Sequence, residues 1–107
     1  MNISQRRKGA TGEREVCSLI AENWGVKAER NLDQYRSGGG DITVSPFRFE
    51  VKRRTRIGNV YDWMLQAMAA CGSGETPVVA CRGDGRKWLV ILTLDDFFRI
   101  GRDELQD

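Results

Sequence analysis

Residues 37–52 read S-G-G-G-D-I-T-V-S-P-F-R-F-E-V-K, from Ser37 to Lys52. A glycine run leads into one acid, Asp41. A second acid and a lysine, Glu50 and Lys52, follow two residues apart. Phe47, Phe49 and Val51 alternate with Arg48, Glu50 and Lys52. Side chains on a strand point to alternate faces, so this period-2 pattern predicts a strand with Glu50 and Lys52 on one face and the apolar three on the other. The Ser45-Pro46 pair between two strand-like runs predicts a hairpin, residues 41–45 against 47–52.

Two carboxylates beside an ammonium form a set suited to metal-assisted phosphodiester cleavage. Carboxylates hold a hard divalent ion, and a lysine can orient a water or offset charge developing on the phosphate. The competing reading is an ion pair between Glu50 and Lys52 on an exposed strand, which would contribute little.

Working outward, residues 1–8 read as a flexible basic arm. Residues 12–24 read as a helix, because Val16, Leu19, Ile20 and Trp24 recur on one face, with Thr11 as N-cap and Gly25 as stop. Residues 26–30 form a short, weakly marked strand, and 31–40 a polar, glycine-ending loop. After a basic loop at 53–58, Asn59 is placed to cap a helix over 60–71. Strands at 77–82 and 87–93 flank Gly83-Asp84-Gly85, a strong turn signal. Thr93 or Asp95 starts a last helix through Ile100, and the tail at 101–107 is polar. This order predicts an α/β fold with a mixed central β-sheet flanked by helices.

The 107 residues fit one domain, 40% of them apolar. No run is long enough to span a membrane, and the basic start has no apolar stretch after it, so a cytoplasmic location is expected. Three cysteines without paired spacing, Cys17, Cys71 and Cys81, read as buried thiols. There is no histidine, which excludes a histidine base, a histidine metal ligand and any Ser-His or Cys-His pair. Net charge is only +2, but basic residues cluster at Arg6-Arg7-Lys8, at Lys52-Arg53-Arg54 with Arg56, and at Arg82 with Arg86-Lys87. Such clusters suit phosphate contacts. Trp24, Trp63 and Trp88 read as core or interface residues.

Asp41…Glu50-Val51-Lys52 resembles the D-x(n)-E-x-K signature of the PD-(D/E)XK nucleases, which have a restriction-endonuclease-like fold. Lys8 to Glu15, K-G-A-T-G-E-R-E, resembles the K-G-x-x-x-E-R-E opening of the archaeal-type Holliday junction resolvases. Ser37-Gly38 resembles their serine-glycine loop, although Gly40 stands where a proline often precedes the aspartate. The resemblance covers roughly residues 8–92.

It implies a Mg²⁺-dependent endonuclease, with Mn²⁺ as a substitute, whose catalytic set is Glu13, Asp41, Glu50 and Lys52. It implies metal ligation by Asp41, Glu50, the Val51 carbonyl and Glu13. DNA contacts would come from Arg6, Arg7, Lys8, Arg36, Ser37, Arg53, Arg54, Arg56 and Gln66. The implied substrate is branched DNA such as a four-way junction, cut by a homodimer in a phage or bacterial cell. Dimer surfaces are expected on the second helix (Tyr61, Trp63, Met64, Met68) or the last (Phe97, Phe98, Ile100). A related nuclease of flaps, forks or single strands, or a DNA-binding module without catalysis, is the alternative.

Overall fold

The computed structural model describes residues 3–31 and 40–105, without the side chains of residues 3–6, 31, 40 and 41. The described elements are α1 (Ile3–Trp24), β1 (Glu29–Asn31), β2 (Gly40–Val44), β3 (Phe47–Arg53), α2 (Val60–Ala70), β4 (Thr76–Arg82), β5 (Leu89–Ile91), α3 (Leu94–Gly101) and a 3-10 turn, Arg102–Glu104. The five strands lie in chain order in one mixed sheet. Only β3 and β4 run parallel, joined by the α2 crossover. Helices pack on both faces, giving the α/β, restriction-endonuclease-like architecture expected from the sequence. No helix among the described residues is long and apolar enough to cross a membrane.

Each face of the sheet has its own core. Beneath α1, Val16 and Ile20 pack with Ile42, Phe49, Val51, Val78 and Ala80. Beneath α2, Trp63, Met64 and Ala67 pack with Val79 and Cys81. Burial raises the thiol pKa of Cys81 above its ordinary value, so it stays a neutral apolar filler. β3 sits at the centre, covered on both sides.

Several local expectations change. α1 starts at Ile3, nine residues before Gly12, so residues 3–8 are helical and do not form an extended arm. Thr11 is therefore inside the helix and caps nothing. Two tertiary contacts accompany the longer helix. Lys8 Nζ reaches Thr55 Oγ1 at 2.7 Å and Asp84 at 3.1 Å. Gly12 lies so close to β3 that a Cβ there would stand 2.8 Å from Arg53 Cβ. Gly25 does end α1, at φ +69 and with its N–H on the Ala21 carbonyl at 2.9 Å.

Asn59 precedes α2 but its side chain caps nothing. Its backbone is left-handed, at φ 52, and its carbonyl accepts from Trp63 N at 3.0 Å. β1 begins at Glu29 instead of residue 26, and β5 shrinks to three residues. Thr93 does cap α3, accepting from Asp96 N at 3.1 Å.

Candidate active site

β3 presents Glu50 and Lys52 on one face, as the alternation predicts. That face is not exposed. In the parallel register Glu50 stands beside Val79 and Lys52 beside Cys81, the two residues packed under Trp63, Met64 and Ala67. Glu50 is 4% and Lys52 1% accessible, and Lys52 Nζ lies 3.5 Å from Glu50 Oε2. An exposed-strand ion pair is thereby replaced by a buried one. Burying both charges costs several kcal/mol per ion by general estimates, a cost that structure alone gives little reason to bear.

β2 brings the third group. Asp41 is the antiparallel register partner of Glu50, just as Ile42 partners Phe49. Its side chain lies outside the described residues. Val51 fills the α1 core with its side chain, 2% accessible, which leaves only its carbonyl for any ligand.

Glu13 is placed elsewhere. It lies on α1, over the Phe49–Val51 face, and accepts from Arg30 Nε at 3.0 Å and Nη2 at 2.8 Å. The structure therefore brings Glu50 and Lys52 together, with Asp41 opposite in register, and holds Glu13 against an arginine of β1. Cys17 nearby has its thiol pKa raised by burial, partly countered by Arg30, so it is not activated as a nucleophile.

The expected phosphate-binding residues also separate. Arg7, Arg56 and Gln66 are exposed. Lys8 and Arg53 are both held on Asp84, Arg53 Nη1 at 2.7 Å. Arg54 lies over the Trp63 ring, 5.8 Å from its centroid. Arg36, Ser37 and the side chain of Arg6 fall outside the described residues. Thr55, Asp84, Arg86 and Lys87 meet at one end of β3 and β4. The sequence marked Arg86 and Lys87 as a basic cluster and Asp84 as a turn residue, but not their convergence with Thr55.

Across residues 4–105, the chain matches the family model described as "Phage putative PDDEXK endonuclease". The chain belongs to this family. No curated protein and no solved structure gives a significant match. Membership in this phage PDDEXK endonuclease family makes nucleic-acid cleavage the activity class, with DNA as partner and a divalent metal ion as the general requirement of such nucleases.

Proposed function

We propose that this PDDEXK family member is a metal-dependent endonuclease that cuts branched DNA in the manner of a junction resolvase. The buried Glu50–Lys52 pair, with Asp41 opposite Glu50 in register, carries the reading. The opening Lys8 to Glu15 supports the resolvase type.

The donor chemistry fits a hard divalent ion, which takes oxygen ligands: the Asp41 and Glu50 carboxylates and the Val51 carbonyl. Mg²⁺ is the expected ion and Mn²⁺ a substitute. When bound, such an ion polarises a phosphoryl oxygen and acidifies a water. The chain's own contribution is positional. Glu50 is fixed by a central strand and cannot drift. Lys52, held against it, offers a cation and N–H donors to the attacking water or to the charge growing on the phosphate. Glu13 serves as an outer acid that acts once Arg30 releases it. Arg7 and Arg56 hold flanking phosphates without reading bases, and Gln66 contacts DNA from the α2 side.

The test sets a fixed four-way junction, a flap and a linear duplex against the purified chain in Mg²⁺, Mn²⁺ or EDTA, beside Asp41→Asn and Glu50→Gln. Paired nicks on the junction, lost in EDTA and in both variants, are the expected result. Preference for flaps or single strands would move the substrate to a replication-repair type. Binding with no cutting in either metal would leave a DNA-binding module.

Paired cuts require two sites, so the reading includes a homodimer. Trp63 and Met64 of α2 are core residues, 8% accessible each, and are removed as its surface. Tyr61 and Met68 stay exposed on α2, but the reading places the dimer on β5, a sheet edge, with α3 and a groove of about 360 Å³ lined by Leu19, Trp24, Leu89, Val90 and Ile100. Phe97 and Phe98 stay exposed on α3. Sedimentation equilibrium should give a dimer for the wild type and a monomer for Phe98→Glu. A monomeric wild type would reject this surface.

A further inference from the structure

We propose that the cavity between segment 53–57 and the β4–β5 turn binds a DNA backbone phosphate, and that Asp84 occupies its cationic wall in the free protein. The proposal rests on the nuclease reading and extends it to residues away from the Glu50–Lys52 pair.

The cavity measures about 550 Å³ and is lined by Thr55, Arg56, Ile57, Asp84, Arg86 and Lys87, among others. Three of these are exposed cations. The acid among them is gripped from behind by two further cations. Lys8 Nζ donates to both Asp84 oxygens at 3.1 Å, and Arg53 Nη1 donates to Oδ1 at 2.7 Å. Lys8 also donates to Thr55 Oγ1 at 2.7 Å. A lysine and an arginine converging on two anionic oxygens form a donor set that a phosphodiester takes. The Asp84 carboxylate stands in for that phosphate.

Exposure supports this order of groups. The Asp84 side chain is 48% accessible, against 14% for Arg53 and 27% for Lys8. The acid thus lies on the solvent side of the cations it neutralises. Arg53 and Lys8 hold its carboxyl below the ordinary aspartate range, so it remains an anion, and a competitor, at neutral pH.

Placement ties the cavity to the candidate active site. Arg53 directly follows Lys52. Segment 53–57 is joined to the turn by Arg54 N on the Arg82 carbonyl at 3.0 Å and Asp84 N on the Thr55 carbonyl at 3.2 Å. At ~3.3 Å per residue, Arg56 lies no more than about 13 Å from Lys52, within about four nucleotides at ~3.4 Å of axial rise. A duplex cut at the Glu50–Lys52 pair would run its backbone over this cavity.

The test measures binding of the full chain to a short linear duplex, in EDTA, by fluorescence anisotropy across a salt series. Asp84→Asn is expected to bind several-fold more tightly and to steepen the salt slope by about 1–2, since each added phosphate contact contributes ~0.9. Asp95→Asn makes the same charge change on α3 and should not reproduce the effect. Adding Lys8→Ala and Arg53→Ala to Asp84→Asn should abolish the gain. Asp84→Glu, which keeps the anion, should bind like the wild type, and thermal melts confirm that each protein is folded. Equal affinity and slope for Asp84→Asn and Asp95→Asn would overturn the proposal while leaving the nuclease reading intact. So would a gain that survives loss of Lys8 and Arg53. A wild type that binds no DNA at all would overturn both.

Discussion

Replacing Lys52 with Met should remove cleavage and also destabilise the fold, whereas adding Glu50→Leu to it should restore stability but not activity. Lys52 and Glu50 are almost fully buried and 3.5 Å apart. Removing one member takes this partner from a charge buried in a low-dielectric interior, a change that typically costs about 3–5 kcal/mol. Replacing both by apolar groups of similar size removes both buried charges and is often neutral or stabilising. Loss of a positioned acid–base or charge-stabilising group lowers rates by about 10²–10⁴-fold. Urea denaturation and junction cleavage on the two single variants and the double variant separate these effects. A double variant as unstable as Lys52→Met would show that the pair is not the source of the loss. A cleaving double variant would remove the pair from the chemistry.

Two glycines three residues apart in α1 should respond to alanine with opposite signs. Alanine is intrinsically better than glycine in a helix by about 1 kcal/mol. At Gly9 nothing lies within 4 Å of an added Cβ, so Gly9→Ala should gain up to about that amount. At Gly12 the added Cβ would meet Arg53 Cβ at 2.8 Å and Trp88 Cη2 at 3.4 Å. Arg53 Cβ is fixed by the strand backbone and cannot swing aside, so helix or strand must shift, and overpacking of that kind costs about 1–3 kcal/mol. Gly12→Ala should therefore melt several degrees lower and Gly9→Ala higher, on a scale of about 4–8 °C per kcal/mol for a domain near this size. Cleavage should also fall in Gly12→Ala, because the displaced residue adjoins Lys52. Two melting curves decide it, and a stabilising Gly12→Ala would refute the close approach.

The alternation of β3 was legible because it is local, and so were the hairpin, α2 and the capped start of α3. What remained hidden depends on partners far along the chain. Residues 1–8 read as a flexible basic arm because the apolar periodicity begins only at Val16 and Thr11 offered a cap. The reasons for a longer helix are the bond from Lys8 to Asp84, 76 residues away, and the close contact of Gly12 with Arg53. Glu13 read as a partner of Glu50 on resemblance, while its nearest charge is Arg30. A polar row on β3 looked solvent-facing. The stripe of Trp63, Met64 and Ala67 on α2 held the contrary clue, since an apolar stripe needs a face to cover, and that face carries Glu50 and Lys52. Asp84 read as turn chemistry because nothing in a Gly-Asp-Gly triplet reveals the cations that fold against it.

The middle position of β3 has a consequence for how the protein breathes. Its neighbours β2 and β4 lock both edges of the strand, and a helix covers each face. Amide protons in such a strand exchange with solvent chiefly through global unfolding, whereas edges and termini open on their own. Glu50 and Lys52 therefore sit on the strand expected to exchange slowest. Thermal inactivation of cleavage should thus coincide with melting. On the proposed function, DNA would enter by movement of the periphery around a carboxylate and an ammonium that the central strand holds in place.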